Sequence, residues 1–250
     1  MEEKTNMITL CVPTRGRPER AKLMLDSALA TAQHPDKIEI LFYLNLDDPT
    51  VPQYKKLIPH KYISSIGPHQ STCMSWNQLA YKAKNEIVVL MGDDVLFKTQ
   101  NWDKEIKHEF DKVPDRLLMV VPYTGRPRGY TKNQKLAVNS YVVSPNEKLN
   151  APHYAVSKDW IKLFGYLCSP MFWHFYVDTY AQTVASRVGR CIYKPSITWR
   201  TKKLEDVTTQ EVRDHLNIRD RDSWVWDNCK RQLDADVQHL KNSINFGKKN

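Results

Sequence analysis

Short apolar runs alternate with helical patterns over roughly the first 90 residues, and this alternation constrains the fold more than any other feature of the chain. Near-continuous apolar runs at residues 8–12, 38–44 and 87–91 are typical of strands buried on both faces, and residues 62–66 form a weaker run. Apolar residues with helical spacing follow Pro18, and the same spacing recurs between the runs at residues 62–66 and 87–91. This order predicts an α/β fold with a doubly wound sheet, flanked by helices, that binds ligands at the carboxyl ends of its strands.

The second half of the chain has a less regular pattern. A strand is predicted at residues 117–121, followed by a glycine- and proline-punctuated loop at 124–135. Ser157 is placed to cap a short helix that ends at Gly165, and a further helix ends at Gly189. A long amphipathic helix near the C-terminus is traced by Trp226, Cys229, Leu233, Val237, Leu240 and Ile244.

The chain lacks the sequence signals of a membrane or secreted protein. Its longest apolar run, residues 87–91, is far shorter than the ~18 residues of a spanning helix. The first six residues are polar and acidic, unlike a signal peptide. Five cysteines without a Cys-x-x-Cys pair argue against a disulfide framework or a structural zinc site. We therefore expect a cytoplasmic protein with no membrane partner.

The positive charge of the chain is confined to one region. Of a net charge of +9, residues 122–203 contribute thirteen Lys or Arg against three acidic residues, and the rest of the chain sums to −1. A basic field in one region favours an anionic partner there, and a lysine-rich solvated surface is the alternative interpretation.

Polar clusters follow three of the predicted strands. After the first strand, residues 14–18 read Thr-Arg-Gly-Arg-Pro, and Asp47 follows the second strand. The apolar run at residues 87–91 is followed by Gly92-Asp93-Asp94. Two adjacent carboxylates beyond a buried strand are costly unless a cation compensates them. Mg²⁺ or Mn²⁺ carrying a diphosphate would do so. Alternatively, the pair caps the helix predicted around Trp102. Neither a dinucleotide-binding Gly-x-Gly-x-x-Gly nor a Gly-Lys-Ser/Thr phosphate loop occurs.

On these motifs the sequence resembles GT-A-fold glycosyltransferases, closest to the family-2 type and to the small versions common in phage genomes. Residues 12–18 resemble the opening strand and nucleotide-contacting turn, and Asp47 the acid that contacts the nucleobase. Residues 75–80 and 87–94 resemble the helix and strand that lead to the Asp-x-Asp or Asp-Asp motif. Val177-Asp178 resembles the Glu-Asp motif, with its first acid missing. The resemblance covers roughly residues 7–200.

This resemblance implies a GT-A-like doubly wound mixed sheet in a single domain over residues 1–250. Residues 1–115 would form the nucleotide-sugar-binding half, 116–204 the acceptor half and 205–250 a C-terminal helical extension. The implied activity is inverting transfer of a glucose-like sugar from a UDP-sugar, with Mn²⁺ or Mg²⁺ as cofactor. Asp94 would ligate the metal, and Asp93 would contact the ribose or the metal. The implied donor-binding residues are Thr14, Arg15, Arg17, Asp47, Asn77, Asp93, Arg200 and Lys202.

One departure from the family affects the metal site, and the base must also be assigned. No histidine lies between His174 and His215, where the family often has a metal ligand, so Arg200 and Lys202 are expected to neutralise part of the diphosphate charge. The base that deprotonates the acceptor is predicted to be Asp178, in an aromatic segment whose desolvation would raise its pKa. The alternatives are that Asp178 only caps the following helix and that His174 is the base or a metal ligand.

The basic region lies in the half that shapes the acceptor side in this fold. Lysines and arginines release counterions on binding a polyanion, and aromatic rings stack on a base drawn out of a duplex. We therefore predict that the acceptor is a hydroxymethylated pyrimidine in DNA, in the host cytoplasm if the chain is phage-encoded. The predicted acceptor residues are Arg126, Arg128, Lys132, Lys135, Trp173, His174 and Trp199, with further charge from Arg187, Arg190, Lys194 and Lys203.

Other functions stay open at this stage. The acceptor is alternatively a glycan or a lipid-linked sugar. A sugar-1-phosphate nucleotidylyltransferase has a related sheet but normally carries a glycine-rich run followed by lysine, which this chain with eight glycines lacks. A non-catalytic nucleic-acid-binding protein fits the basic excess, whereas the carboxylates after residue 92 would repel phosphates. No obligate protein partner is evident.

Overall fold

The computed structural model describes residues 7–124, 140–147, 149, 151–201 and 217–246. The strands within this part of the chain are β1 (Ile8–Thr14), β2 (Ile38–Asn45), β3 (Ile63–Gly67), β4 (Ile87–Leu90), β5 (Val95–Phe97), β6 (Met119–Tyr123), β7 (Tyr141–Val142), β8 (Tyr154–Ser157) and β9 (Cys191–Thr201). The helices are α1 (Pro18–Thr31), α2 (Val51–Leu57), α3 (Thr72–Lys82), α4 (Trp102–Asp111), α5 (Lys158–Phe164), α6 (Val177–Arg187), α7 (Ile218–Asn228) and α8 (Lys230–Phe246).

The strands form one mixed sheet in the order β3-β2-β1-β4-β8-β6-β9-β5, and β7 pairs with β9 beside this path. The four strands from β3 to β4 are mutually parallel. β8 is antiparallel to β4 and β6, β6 is parallel to β9, and β5 is antiparallel to β9. The doubly wound mixed sheet predicted from the sequence is confirmed. Because the parallel strands point the same way, the turns that follow β1, β2 and β4 meet at one edge of the sheet.

Alternation along the strands produces two apolar layers. In β1, Leu10 and Val12 face one layer and Cys11 faces the other. The first layer includes the buried faces of α1, α2 and α4. The second includes those of α3, α5 and α6, and residues from α7 and α8 pack into it. The near-continuous apolar runs in the sequence follow from this burial on both faces.

Local signals at helix ends predict the structure well. The Ser157 hydroxyl accepts a hydrogen bond from the Trp160 amide at 3.1 Å at the start of α5, and Gly165 ends this helix with φ of +79°. The alternative that Asp93 and Asp94 cap the helix at Trp102 is wrong, because β5 intervenes between them and α4.

The C-terminal residues depart from the prediction of one long helix. The helix is interrupted at Cys229, which separates α7 from α8. Both helices contribute buried carboxylates to the rest of the protein: Asp236 of α8 accepts hydrogen bonds from the hydroxyls of Tyr166 and Tyr180, each at 2.7 Å. None of the helices in the described ranges is both long enough and apolar enough to cross a membrane.

Candidate active site at the carboxyl ends of the strands

Thr14, Arg17, Tyr54 and Asp93 form a closed ring of hydrogen bonds where β1 and β4 end. The Arg17 amide donates to the Tyr54 hydroxyl at 2.9 Å, and this hydroxyl lies 2.7 Å from that of Thr14. Thr14 donates to Oδ2 of Asp93 at 2.6 Å, and the Arg17 guanidinium pairs with Oδ1 at 2.9 Å. Because an ionised carboxylate only accepts, Thr14 must donate to Asp93, which leaves Tyr54 to donate to Thr14.

Asp93 is almost fully buried within this ring. Burial raises the pKa of its carboxyl to about 6, with Arg17 and Thr14 opposing the rise and Asp94 adding to it. The group is therefore ionised at neutral pH, with both of its oxygens engaged by protein donors. Asp93 is thus positioned to fix the turn that carries Asp94.

Asp94 presents its carboxylate differently. It is half-buried and forms no hydrogen bond or ion pair with any residue in the described ranges. Gly92 brings this carboxylate close to His153, since a Cβ at position 92 would lie 2.8 Å from Oδ1 of Asp94 and 3.1 Å from Cε1 of His153. His153 is buried just before β8, which pairs with β4. A side chain at position 92 would therefore displace one of these two groups.

His174 is held against α3. Its Nδ1 is 3.0 Å from the Thr72 hydroxyl, and its ring stacks on Trp76 with 6.3 Å between ring centroids. Trp76 in turn donates to the carbonyl of Met91, directly before Gly92. Burial lowers the pKa of His174; the nearby carboxylates of Asp222 and Asp94 oppose this and Arg17 adds to it. The imidazole is therefore close enough to Arg17 and Asp94 to respond to their charges.

The segment around His174 is anchored by Asp222 of α7, whose side chain is fully buried. Its carboxylate accepts hydrogen bonds from the amides of Trp173 at 2.9 Å and of His174 and Phe175 at 2.8 Å each. Arg221 adds an ion pair at 2.7 Å. The C-terminal helices therefore build part of the candidate site, which the sequence pattern did not predict.

Asp178 lies in the first turn of α6. This helix begins at Val177 with Tyr176 in the N-cap position, so the alternative that Asp178 is the N-cap is wrong. Burial raises the pKa of the Asp178 carboxyl, and the backbone amides of Asp178 and Thr179 partly oppose the rise. Its one described side-chain contact is a long hydrogen bond of 3.5 Å from the Thr179 hydroxyl, with no ion pair to a described residue. Such a carboxylate has the features of a proton acceptor.

Arg15 and Asp47 form an outer pair beyond β1 and β2, with an ion pair of 2.7 Å. The Arg15 hydrogen bond lowers the pKa of Asp47, whose side chain is 53% exposed. His69 lies 3.8 Å from the other oxygen of Asp47. Polar groups able to bind a nucleoside thus face solvent at this end. The neighbouring Asp48 is structural, because it accepts the amides of Gly16 at 2.8 Å and Thr50 at 2.9 Å.

Two residues predicted to bind ligands have their side chains committed elsewhere. Asn77 donates to the Cys168 carbonyl at 2.8 Å and accepts from the amides of Leu167 and Cys168 at 2.9 and 3.0 Å, so its amide braces this loop. Trp199 is fully buried and packs against Phe97 and Trp102. Its ring has no exposed face on which a base could stack, so the stacking prediction for Trp199 is corrected.

Arg200 is exposed on β9. It pairs with Leu96 of β5, and Leu96 follows Asp94 by two residues in the chain. Trp173 is half-buried beside His174. The remaining predicted positions, Arg126, Arg128, Lys132, Lys135, Lys202 and Lys203, lie outside the described residues.

Three other cations of the predicted basic region are paired with carboxylates from outside it. Arg187 pairs with Asp234 and Arg190 with Asp115, each at 2.7 Å. Lys194 is fully buried between Glu105 and Glu109, at 3.0 Å from each. The prediction that Lys194 contributes to a free basic surface is therefore wrong, because its side chain is fully buried, whereas Arg187 and Arg190 each share their charge with a carboxylate.

The arrangement fits a divalent metal that arrives with a diphosphate. No group of three or more His, Cys, Asp or Glu residues in the described ranges is arranged to hold a metal ion alone. The Asp94 carboxylate, without a partner in the described part of the chain and near His153 and His174, offers only part of a coordination shell. Mg²⁺ and Mn²⁺ commonly take the remainder from substrate oxygens and water.

Tyr54, His69, His153 and Asp222 are site residues that the sequence analysis missed. Each is a single residue in a segment without a motif, and each reaches the site through a tertiary contact. His153 is the clearest case, because its position depends on β8 pairing with β4 rather than on any local pattern.

No protein-family model matches the sequence, and no curated protein matches it. Its structure is similar to solved structures at low identity. TarS residues 1–349 from S. aureus, in complex with UDP, match with a TM-score of 0.58 and 13% identity over 78% of this chain and 61% of that chain. The mannosyltransferase PcManGT from Pyrobaculum calidifontis, with GDP-Man and Mn²⁺, matches with a TM-score of 0.59 and 14% identity over 95% and 73%.

GalNAc-T7 with UDP, GalNAc and Mn²⁺ matches with a TM-score of 0.58 and 14% identity, over 81% of this chain and 45% of that chain. The chain thus spans about three fifths of the TarS fragment and less than half of GalNAc-T7. These neighbours are of the GT-A type, and the mixed sheet described above has the same GT-A-like architecture.

Proposed function

We propose that the protein is an inverting glycosyltransferase that moves a sugar, glucose-like in size, from a UDP-sugar to an acceptor hydroxyl. The observation that carries this proposal is the Asp94 carboxylate, which has no hydrogen-bond or ion-pair partner among the described residues and lies at the carboxyl end of a central parallel strand, next to the buried ring around Asp93. Support comes from the fold, which is shared with structures solved in complex with UDP or with GDP-Man and Mn²⁺.

The donor is proposed to lie along the edge where β1, β2 and β4 end. Arg15 and Asp47 face solvent there and supply charged hydrogen-bonding groups for the nucleoside. Thr14, Arg17 and Asp93 form the floor beneath the diphosphate, with Arg200 as a further cation. Asp94 would hold Mn²⁺ or Mg²⁺, with His153 and His174 as the nearby imidazoles. The metal would supply positive charge that stabilises the leaving diphosphate.

Asp178 is the proposed base. Its carboxylate takes the proton of the acceptor hydroxyl as the hydroxyl oxygen forms a bond to the anomeric carbon of the donor. The bond from that carbon to the diphosphate oxygen breaks, and its electron pair leaves with the nucleoside diphosphate. Attack opposite the leaving group inverts the anomeric configuration. The raised pKa of this half-buried carboxyl makes it a better proton acceptor than an exposed aspartate.

For the acceptor we propose a 5-hydroxymethylpyrimidine in DNA, which offers a primary hydroxyl. The proposal rests on the basic residues of the sequence at 126–135 and 202–203, which lie outside the described residues. A glycan acceptor is the second candidate, and the ion pairs of Arg187, Arg190 and Lys194 favour it, since they remove charge available to a polyanion.

The donor assignment is tested by titrating the protein with UDP in the presence and absence of Mn²⁺. We expect Mn²⁺ to strengthen UDP binding to the wild-type chain and to have no such effect on Asp94→Asn. Asp111→Asn is the matched control, because Asp111 is an acidic residue in a surface ion pair on α4. Equal Mn²⁺-dependent affinity in wild type and Asp94→Asn would reject the assignment.

The acceptor assignment is tested in a transfer assay that detects released nucleoside diphosphate. UDP-sugars are offered with hydroxymethylpyrimidine DNA, unmodified DNA or neutral oligosaccharides. Transfer to the modified DNA alone supports the DNA proposal, and transfer to an oligosaccharide alone replaces it with the glycan. Release of pyrophosphate from a nucleoside triphosphate and a sugar-1-phosphate would identify a nucleotidylyltransferase instead.

A further inference from the structure

Two arginines of α7 lie over the aromatic rings that flank His174. The guanidinium carbon of Arg219 is 5.9 Å from the ring centroid of Phe175, and that of Arg221 is 5.9 Å from the ring centroid of Trp173. Both arginines are exposed and both rings are half-buried. We propose that these four residues, the α7 platform, bind single-stranded nucleic acid next to the reacting nucleotide. This inference deepens the proposed function and rests on it.

The α7 platform is held rigidly by the buried Asp222. Its carboxylate binds the amides of Trp173, His174 and Phe175 in succession, so the backbone beneath both rings is fixed to the helix that carries both arginines. A surface that is already ordered loses little conformational entropy on binding. Such preorganisation is expected of a binding surface.

The chemistry of the α7 platform matches phosphate and bases together. A guanidinium stacked on a ring keeps its in-plane N–H groups available for the oxygens of a phosphate. Arg219 forms no hydrogen bond or ion pair with a described residue. Arg221 uses one terminal nitrogen for Asp222 and the other for the Met171 carbonyl at 3.2 Å. Aromatic rings beside arginines are the usual components of sites for single strands.

Two neighbouring features extend the same surface. Trp224 lies one helical turn beyond Arg221, and 67% of its surface is exposed. His174 lies between the two platform rings in the chain but turns inward to Thr72, where the charges of Arg17 and Asp94 act on it. The α7 platform therefore borders the candidate active site. Several basic residues of the region 122–203 are held in ion pairs, and the α7 platform would give the chain another group that contacts a phosphodiester.

The test is a fluorescence-anisotropy titration with a short fluorescein-labelled oligodeoxythymidylate over a salt series. We expect Arg219→Gln to weaken binding and to reduce the slope of log affinity against log salt by about 1. Trp173→Leu should weaken binding roughly fivefold or more through lost stacking. Arg231→Gln is the matched control, an exposed arginine on α8 rather than on α7, and should bind like wild type.

Several outcomes would overturn the inference: no binding of the oligonucleotide by the wild-type chain, equal affinity in wild type and Arg219→Gln, or displacement of the oligonucleotide by a neutral oligosaccharide. Arg219 is exposed, so its substitution tests the inference even if Trp173→Leu fails to fold. A parallel titration of the wild type with UDP and Mn²⁺ separates the two proposals. If UDP binds and the oligonucleotide does not, only the α7 platform proposal is rejected. If the oligonucleotide binds and UDP does not, the glycosyltransferase proposal is rejected.

Discussion

Arg17 contacts Asp93 by two routes. Its guanidinium pairs with Oδ1 at 2.9 Å, and its backbone amide reaches Oδ2 through the hydroxyls of Tyr54 and Thr14. The turn after β1, the helix α2 and the turn after β4 are therefore tied together by one buried carboxylate. Because Asp94 follows directly in the chain, this ring also sets the position of the carboxylate proposed to bind the metal.

Tyr54→Phe should break the ring without removing much apolar surface. The partly buried Arg17 amide would lose its acceptor and Thr14 its donor, which costs about 1–3 kcal/mol of unfolding free energy. UDP affinity should fall as well, since the turn after β1 would no longer be fixed. Thermal melts and UDP titration check this. Tyr81→Phe, at a side chain that is 91% exposed, is the control, and an effect of Tyr54→Phe no larger than that of the control would contradict the role of the ring.

Gly92→Ala should impair the site more than the fold. The added methyl would lie 2.8 Å from Oδ1 of Asp94 and 3.1 Å from the His153 ring, so one of these groups must shift. We expect the Mn²⁺-dependent part of UDP affinity to fall at least several-fold, with a small change in melting temperature.

Gly165→Ala provides the opposite case. A Cβ there meets nothing within 4 Å, but φ is +79°, so alanine should cost about 1–2 kcal/mol of stability. Its UDP affinity should match wild type. If Gly92→Ala bound UDP and Mn²⁺ normally, the close packing of Asp94 and His153 around Gly92 would have no part in donor binding.

Asp178→Asn should abolish sugar transfer while UDP binding persists, because only the proton acceptor is lost. In the wild type, transfer should decline with falling pH as the carboxyl protonates, at a pH above that of an ordinary aspartate. Asp159→Asn, which breaks a surface ion pair with Lys162 on α5, is the control. Near-normal turnover of Asp178→Asn would assign the base to another group, with His174 the first to test.

The same substitution has a predicted effect on stability. Since the folded state raises the pKa of Asp178, it binds this proton more tightly than the unfolded chain does. The carboxyl therefore favours folding most at acid pH. This contribution is lost as the pH rises from the pKa of Asp178 in the unfolded chain to its higher pKa in the folded protein. Asp178→Asn should melt at a higher temperature than wild type at neutral pH, and the difference should vanish below about pH 4. Melting curves across this range check the sign.

Lys194→Met should reduce stability rather than nucleic-acid affinity. Lys194 is fully buried between two glutamates, and its loss leaves the buried Glu109 with Lys112 alone, at a cost of about 3 kcal/mol or more. Lys22→Met breaks only an exposed pair with Asp26 and should cost less than about 1 kcal/mol. A large loss of oligonucleotide affinity in a folded Lys194→Met protein would restore the role in acceptor binding first predicted for this cation.

The sequence by itself predicted the alternation of strands and helices in the N-terminal half and which polar residues follow the strands, but not α2, β5, β7 or β8. These features depend on local periodicity and on turn or capping residues, as at Ser157 and Gly165, so they are readable without knowing any distant contact. The parallel half of the sheet then brings Thr14, Asp47 and Asp93 to one edge, as predicted. The prediction of one long C-terminal helix was wrong, because the break at Cys229 leaves no signal in an apolar pattern that continues across it.

Only the tertiary structure decided which of the polar residues keep an unpaired side chain. Lys194 meets Glu105 and Glu109 across a strand–helix contact, and Asp222 reaches residues 173–175 from a helix more than 40 positions away in the chain. The free energy of a charged side chain depends on its burial and on its partners in space, and residues of the same type can be a free ligand or a neutralised structural pair. Asp93 and Asp94, adjacent in sequence, differ in this way because one points into the ring with Arg17 and the other does not.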